Sequence, residues 1–538
     1  MKKNKKRYVL ITLAVLMILG GVLRVLCCFW GYPHQLHPDE NTIVNNTIDM
    51  LSRNSWEAYV YNRPDQFEIK CNALIFEVVS RLRWHLPAEE VFAYSQGPFY
   101  LLARFYTAMF GIAMIPMTYL LTGKIFQNGK LKHVEETQLL AAALIAVSPI
   151  FVQHSAYATP DIVLSFFVLL IGYLSVVYLE NKGNRFIYVI AVLTGICISI
   201  KYPAAIMCMY IALLVIYKCI KEKSGWKSFF VQGLLSIVLV VGTLFVIAPN
   251  LFTDVSTAIE VFLTETRSTH AGADGLNMLG NMRYYIVTIM EHTGFCSFFF
   301  FLFGVWYLVK HRSEKHFPLL LSGIYWICLS VLALHWLRWG IPMYLGYIIL
   351  TAVGCVWILE RVCALKKGSV VALAIGFGAM ILLIANVLIS SLTLTKWSCL
   401  PDARVKAMNF CEEHQITREN SVFEGYTPLV TTYWSGPQTE DFEQKNEILQ
   451  LKNNSEKKYY VMSSNFLNRY KNQEDKYSEQ LSFYRALDKT YPLIYKLEGS
   501  FYQKSICEIK NISYAFDYLF KEHKATGDTI YIYELKSK

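Results

Sequence analysis

The chain has 538 residues, of which 54% are hydrophobic, 15% aromatic and only 17% charged. That composition is too apolar for a soluble protein of this length and is typical of a chain that crosses a membrane several times. The formal net charge of +10 would suit nucleic acid only if the basic residues formed one surface. They lie instead in short loops between apolar segments, so nucleic acid is not an expected partner.

Eleven apolar segments are candidates for membrane-spanning helices, because a span needs about 20 apolar residues. Two of them, residues 139–152 and 186–200, are short for this task. In chain order the segments are residues 8–30, 98–123, 139–152, 161–180, 186–200, 203–217, 229–248, 284–309, 317–334, 341–359 and 369–394.

The distribution of Lys and Arg predicts the orientation of these segments. Twenty basic residues lie in alternate loops, starting with the N-terminal KKNKKR. The short loops between them carry four, which are Lys201, Arg267, Arg283 and Arg338. Because basic loops stay in the cytoplasm, we predict a multi-pass plasma-membrane protein with its N-terminus inside and its C-terminus outside. Basic and non-basic loops alternate along the whole chain only if both short segments, residues 139–152 and 186–200, cross the membrane.

Three hydrophilic stretches then face the exterior: residues 31–97, residues 249–283 and the tail. The tail combines strand-like runs, such as YYVMSS and TIYIYELK, with polar helical segments such as VKAMNFCEEH. This pattern predicts a separate extracytoplasmic α/β domain at residues 395–538, after a transmembrane domain at residues 1–394. The thirteen cysteines are scattered without metal-ligand spacing, and we interpret them as small buried hydrophobic residues.

An adjacent acid pair, Asp39 and Glu40, follows the first span within QLHPDENTIVNN. Acids are common in loops, so a solvated loop start is the simplest alternative. A functional role is favoured because Pro38 restricts the backbone, His37 adds a titratable neighbour, and the pair lies where the span leaves the bilayer. A partly desolvated carboxylate can serve as a general base.

Three cations accompany the acid pair on the predicted outer side. Arg104 lies near the outer end of the second span, Lys201 follows the fifth, and Arg338 lies in the outer loop LHWLRWGIP. Cations at a membrane are functional candidates, with snorkelling to lipid phosphates as the alternative, which we favour for Arg24 and Lys310. Together with a carboxylate base, such cations suit a lipid-linked phosphate as leaving group and therefore glycosyl transfer.

Further polar residues could line the same site. Asp161 opens the fourth span, where it could equally be an acid stabilised by the helix dipole. Glu291 and His292 lie about two turns into the eighth span and could face the site or pair with each other. Arg267 and His270 lie in the glycine-containing loop TETRSTHAGADG, which could close over a substrate.

Five segments in a fixed order resemble a known group of proteins. They are LHPDE, ARFYTAMFGIAMIPMTYLLTGKIF, HSAYATPDIVLSFFVLL, TGICISIKYPA and LRWGIPMYL. In these segments the chain resembles the polytopic glycosyltransferases of the C-type fold, the group of protein O-mannosyltransferases and bacterial lipid A aminoarabinose transferases (families 39 and 83). QGPFY departs from the double proline of many relatives, which leaves the acceptor side open.

The resemblance implies an inverting enzyme that takes sugar from a polyprenyl-phosphate donor on the extracytoplasmic face. It implies that Asp39 is the base and that Glu40 helps to shape the site. Arg104 and Arg338 would then bind the donor phosphate. Lys201, which we add to this phosphate-binding set, matches a family position with a less clear role.

The same resemblance bears on cofactors. Asp39, Glu40, His37 and His270 could in principle ligate Mg²⁺ or Mn²⁺. The mannosyltransferase-like members are expected to work without metal, since their donor carries one phosphate, and we expect no obligatory metal. Apart from the question of cofactors, Asp161 matches a position of the family whose role is less clear.

Two other functions compete with glycosyl transfer. A flippase or transporter of lipid-linked sugars would also use cations in the membrane, but the halves of the chain show no repeat and the polar residues gather on one leaflet. A lipid-linked glycan ligase or polymerase would share donor and compartment. The acceptor hydroxyl could belong to a protein, a lipid or a cell-wall glycan. The Lys-, Ile- and Asn-rich tail suggests a bacterium and thus undecaprenyl phosphate.

Overall fold

The computed structural model describes residues 2–265, 270–273, 276–364, 369–429, 436–445, 448–452, 455–501 and 509–536. Every regular element described before residue 400 is a helix. The first eleven α-helices are α1 (Lys2–Cys28), α2 (Glu40–Ser52), α3 (Gln66–Arg83), α4 (Ala88–Tyr94), α5 (Gly97–Phe126), α6 (Val134–Val147), α7 (Pro149–Ser155), α8 (Pro160–Glu180), α9 (Arg185–Ile200), α10 (Ile206–Glu222) and α11 (Gly225–Ile247).

The remaining helices of this part include two short ones and the long pair that ends it. They are α12 (Asn250–Thr253), α13 (Val255–Glu265), α14 (Met278–Thr293), α15 (Phe295–Lys310), α16 (Phe317–Val331), α17 (Ile341–Cys363) and α18 (Ser369–Cys399). Short 3₁₀ turns at Tyr202–Ala205, Glu314–His316 and Leu337–Gly340 lead into α10, α16 and α17.

Within the described residues, seven helices are long and apolar enough to cross a membrane, or nine if each of two bent pairs is one span. The protein is therefore a multi-pass membrane protein. Every predicted segment contains a helix, but α9 and α16 have only 16 and 15 residues, fewer than a straight crossing requires. The number of eleven spans and the orientation remain predictions.

One predicted span, residues 284–309, is not a single straight helix. It comprises most of α14 and nearly all of α15, which meet at an angle of 118°. The bend lies at Gly294, whose φ of 87° is readily adopted only by glycine. The short segment 139–152 is likewise a bent pair, α6 and α7, at 54°.

Helices α15 and α17 pack unusually closely. A Cβ atom added at Gly354 would lie 1.8 Å from the carbonyl oxygen of Phe300, and one added at Gly304 would lie 2.0 Å from that of Leu350. Small residues allow helix backbones to approach in this way within membranes. The two glycines therefore determine how closely this pair packs.

The prediction that Arg24 snorkels to lipid phosphates is wrong. Arg24 is fully buried, and its Nε donates to Ser155 Oγ at 3.1 Å. Its terminal nitrogens donate to the carbonyl oxygens of Ala146 and Ile145 at 2.9 and 2.8 Å. These carbonyls belong to the last turn of α6, where no helical N–H is left to bind them. Arg24 thus caps α6 just before its bend to α7.

The tail is an α/β unit, as predicted. Its elements are α19 (Ala403–Glu413), β1 (Ser421–Phe423), β2 (Phe442–Lys445), β3 (Ile448–Leu451), β4 (Tyr459–Ser463), α20 (Ser464–Lys471), α21 (Ser478–Thr490), β5 (Leu493–Leu497), α22 (Ile509–Phe520) and β6 (Ile530–Glu534). Four strands form a mixed sheet in the order β1-β4-β6-β5, with β1 parallel to β4, while β2 and β3 form a separate hairpin. The predicted strands at 459–464 and 529–536 are confirmed as the antiparallel neighbours β4 and β6.

Alternation along β4 gives the sheet two apolar faces. Tyr460 and Met462 join one buried cluster with α20 and α21, and Val461 joins another with α19. Glu424, directly after β1, is buried beneath the first face. The hydroxyls of Tyr460 and Tyr484 donate to its carboxyl oxygens at 2.7 and 2.9 Å.

The tail packs against the C-terminal ends of α1 and α18. Arg404 donates to the carbonyl oxygen of Leu36 at 2.9 Å and lies 5.6 Å from the ring centre of Trp30. Trp397, near the end of α18, donates to the carbonyl oxygen of Ser500 at 2.9 Å. These contacts bring the tail next to the acid pair.

Candidate active site

Two cavities meet at the acid pair. The larger has a volume of about 630 Å³ and lies among the membrane helices, and the smaller, about 310 Å³, lies between those helices and the tail. Asp39, Trp336 and Arg338 line both cavities. Asp39 therefore belongs to the wall that the two cavities share.

The turn before α2 holds Asp39 in place. Its backbone N–H donates to Nδ1 of His37 at 3.2 Å, and its carbonyl oxygen accepts from Arg63 at 3.1 Å. The carboxylate pairs with Arg63 at 3.3 Å and with Arg338, and it is 12% exposed. Two guanidinium groups stabilise the charged carboxylate, which is the form that a general base requires.

Arg338 reaches Asp39 across 299 positions of sequence. It lies in the 3₁₀ turn Leu337–Gly340 that leads into α17, so the turn aims the side chain back across the site. The structure thus brings together two residues predicted from separate loops.

Glu40 and Arg104 form a buried ion pair directly behind Asp39. Nε and one terminal nitrogen of Arg104 donate to the two Glu40 oxygens, each at 2.8 Å. The other terminal nitrogen donates to the carbonyl oxygens of Cys28 and Trp30 at 3.0 and 2.7 Å. Arg104 and Glu40 are only 1% and 0% exposed.

The role of Arg104 as a ligand of the donor phosphate stays a prediction, and the geometry supports a structural role. The residue lines neither of these two cavities. Instead it ties α5 to the end of α1 and to the first turn of α2. Glu40 also accepts from the backbone N–H of Ala158 at 3.0 Å, so the pair supports the acid turn from behind.

Lys201 lines the larger cavity, and its role as a phosphate ligand stays a prediction. Its Nζ lies 2.5 Å from Oδ1 of Asp161 and 5.7 Å from the ring centre of Trp339. Asp161, in the first turn of α8, is almost fully buried. It therefore positions the lysine rather than only stabilising its own helix end.

Arg63, Tyr325 and Trp339 are among the residues of the larger cavity that were not predicted from the sequence. Arg63 lies within YNRPDQ in the hydrophilic stretch 31–97. The only feature of the sequence that could have identified it is a basic residue next to a proline, in the same stretch as the acid pair. Nε of Arg63 also donates to Asp65 at 2.5 Å. Tyr325 lies mid-helix in α16, where nothing in the sequence marks it.

The other predicted residues fall in different places. His37 lines the smaller cavity, and burial lowers its pKa to about 3, so the ring is neutral. The His270 ring lies 4.8 Å from that of Trp336, at the rim of the site. Glu291 lines neither cavity, and Arg267 lies outside the described residues.

Three of the four residues considered as metal ligands already have other partners. Both Glu40 oxygens accept from Arg104, and both Asp39 oxygens pair with arginine. Nδ1 of His37 accepts from the backbone. Over the part of the chain that the structure describes, no three His, Cys, Asp or Glu side chains are grouped to hold an ion.

Comparisons with known proteins agree with this architecture. Residues 100–252 match the family model described as dolichyl-phosphate-mannose-protein mannosyltransferase. A protein of Aquifex aeolicus (strain VF5), described as uncharacterized, is 23% identical over 342 residues, which is 63% of this chain and 63% of the relative.

The fold is similar to that of solved membrane enzymes. The oligosaccharyltransferase of Archaeoglobus fulgidus tethered to an acceptor peptide has a TM-score of 0.55 at 13% identity, covering 91% of this chain and 73% of that one. Its apo form has a TM-score of 0.52 at 13% identity, covering 82% and 62%. ArnT from Cupriavidus metallidurans bound to undecaprenyl phosphate has a TM-score of 0.47 at 15% identity, covering 78% and 82%.

The fold and these matches place the protein in the structural class of polytopic membrane proteins with the C-type glycosyltransferase fold. Within that class it resembles the protein mannosyltransferases over residues 100–252, which run from within α5 to α12. The chain spans less than two thirds of the length of the Aquifex relative and of the apo oligosaccharyltransferase chain.

Proposed function

We propose that the protein transfers a sugar, with inversion, from a polyprenyl-phosphate donor to an acceptor hydroxyl on the extracytoplasmic face of the membrane. The observation that carries this proposal is the position of Asp39 in the wall between two cavities. A base in that position can contact an acceptor from one side while a donor occupies the other.

The larger cavity suits the donor phosphate because three cations line it: Arg63, Lys201 and Arg338. Arginine can bind phosphate through two parallel hydrogen bonds, and lysine adds a compact charge. A phosphate entering here would compete with Asp39 for the two arginines. Donor binding would then loosen the carboxylate for proton transfer.

The same cavity suits the polyprenyl chain. Part of its wall is apolar and continues to helix surfaces that carry exposed hydrophobic side chains, as lipid-facing surfaces do. Leu332 is 41% and Phe262 is 45% exposed. Apolar residues of this wall are Ile206, Phe262, Cys328, Leu329, Leu332 and Ala333.

In the proposed reaction, the acceptor oxygen attacks the anomeric carbon of the donor from the face opposite the phosphate. Its proton passes to the Asp39 carboxylate, and the bond from the anomeric carbon to the phosphate oxygen breaks. The polyprenyl phosphate leaves with the bonding electron pair, and the cations stabilise its added negative charge. Attack opposite to the leaving group inverts the configuration.

No metal takes part in this proposal. Arg63, Lys201 and Arg338 supply the positive charge that a divalent cation would otherwise place on the leaving phosphate. The family-model description, which names a dolichyl-phosphate-linked sugar, supports a monophosphate donor. The composition of the tail favours undecaprenyl phosphate as the bacterial counterpart.

The test is release of label from a panel of radiolabelled polyprenyl-phosphate sugars by the purified protein in detergent, with cell extract as acceptor. Asp39→Asn should lower the rate by about 10²- to 10⁴-fold, the usual contribution of a general base. The matched control is Asp49→Asn on the exposed side of α2, which should keep wild-type activity. Wild-type activity in Asp39→Asn would exclude Asp39 as base, and no release from any donor would favour the flippase.

We also propose that the tail and both cavity mouths face the exterior. A reporter enzyme that is active only in the cytoplasm, fused after Lys538, should then be silent. An active reporter would reverse the proposed orientation.

A further inference from the structure

The smaller cavity lies between Asp39 and the ends of strands in the tail. Tyr426 follows β1, Asn465 follows β4, and Asp528 precedes the antiparallel β6. All three therefore lie at one edge of the sheet, the carboxyl end of its parallel pair. In open α/β sheets this edge is where ligands bind.

The walls of this cavity combine indole rings with both hydrogen-bond donors and hydrogen-bond acceptors. Trp30, Trp336 and Trp397 supply apolar surface. Asp528 supplies carboxylate oxygens, which only accept hydrogen bonds, and Arg404 supplies a guanidinium, which only donates.

We infer that the acceptor in this cavity is a carbohydrate. A sugar ring offers an apolar C–H face, which packs on an indole ring, and an edge of hydroxyls. Each hydroxyl both donates and accepts, which matches the acceptor at Asp528 and the donor at Arg404 in these walls. The inference rests on the proposed function, because it identifies the hydroxyl that Asp39 deprotonates.

A peptide acceptor fits these walls less well. Main-chain groups of an extended peptide are best recognised by a free strand edge, whereas the tail turns the ends of its strands to the cavity. The volume of about 310 Å³ is at the lower limit of small-molecule sites. It suits a terminal sugar unit, whether that unit belongs to a soluble glycan or to a glycolipid headgroup.

The test uses the full-length protein in lipid nanodiscs and saturation-transfer NMR. The probes are methyl glycosides of glucose, galactose, mannose and N-acetylglucosamine, their β-linked disaccharides, a glucosyl glycolipid in the nanodisc, and a pool of Ser- and Thr-containing peptides. We expect saccharide binding that weakens by about 10- to 100-fold in Asp528→Asn, as loss of a hydrogen bond to a charged group predicts.

Asn465→Ala is the second variant, because it removes a different cavity group and tests the same site if Asp528→Asn is poorly folded. Glu474→Gln, at an exposed acid of the tail, is the matched control and should bind as wild type. Thermal unfolding of each variant separates lost binding from lost fold.

The inference would be supported if a saccharide binds to the wild type and both cavity variants weaken that binding. Comparison of the soluble probes with the glycolipid would then show which source of the sugar is bound. Binding of the peptide pool alone, the absence of any saccharide signal, or saccharide binding that neither variant weakens would overturn it. Asp39-dependent release of label from the donor is measured in parallel. If that release persists, only the acceptor assignment fails, and if it is absent, the proposed function fails as well.

Discussion

Arg104→Met is the substitution that best separates a structural cation from a catalytic one. It keeps a long unbranched side chain but removes the guanidinium that makes four hydrogen bonds, two of them to Glu40. The Glu40 carboxylate, which is 0% exposed, then stays buried without its counterion. Removing one partner of a buried pair costs about 3–5 kcal/mol.

The expected result is a loss of stability rather than a loss of donor recognition. Arg104→Met should unfold several degrees below wild type when heated in detergent, and the fraction that remains folded should keep the donor KM. Glu40→Gln combined with Arg104→Met should recover part of the loss, because no buried charge is then left alone. The interaction between the two substitutions would measure the pair.

Arg338→Met provides the contrast, because Arg338 faces both cavities. It should raise the donor KM or lower kcat with a much smaller change in unfolding temperature. If Arg104→Met instead unfolded at the wild-type temperature and weakened donor use, Arg104 would be a phosphate ligand after all. The assignment of the buried pair as structural would then be refuted.

Three further predictions concern stability. Arg24→Met leaves carbonyls at the end of α6 without donors and should cost about 1–3 kcal/mol of unfolding free energy in chemical denaturation; an unchanged value would show that lipid or water replaces the cap. Gly354→Ala places a methyl group against the backbone of α15 and should cost about 1–3 kcal/mol, whereas Gly378→Ala, with no atom within 4 Å of the added Cβ, should not destabilise; equal effects would contradict the packing argument. Burial raises the pKa of Glu424 from 4.5 to about 8, so the folded protein holds a proton that the unfolded chain has lost between these values, and its stability should fall as pH rises through this window. Glu424→Gln should remove that dependence, which unfolding temperatures measured from pH 5 to 9 would test.

The class of fold and the location of the acid pair were predictable from the sequence. Apolar segments and the alternation of basic loops identify a multi-pass membrane protein, because lipid demands about 20 apolar residues per crossing. The period-2 pattern of the tail predicted β4 and β6. The bend at Gly294 escaped the same reasoning, because hydropathy measures length and composition and carries no information about direction.

The roles of the cations were not predictable in this way. Hydropathy places Arg24 and Arg104 at a depth in the membrane, but it does not say which side of the helix meets lipid and which meets protein. Both turned out to be buried and bonded to helix ends or to a carboxylate. Arg63, in a loop without periodicity, gave only a weak signal.

The sequence by itself therefore determined that this is a multi-pass membrane protein and that Asp39 and Glu40 follow its first apolar segment, since both conclusions depend on local composition and order along the chain. Only the tertiary structure decided that these neighbours point in opposite directions, Glu40 into a buried pair and Asp39 into the wall between two cavities. The physical reason is that their partners, Arg104 and Arg338, lie 64 and 299 positions away, and pairing over such separations is set by packing of the whole helix bundle.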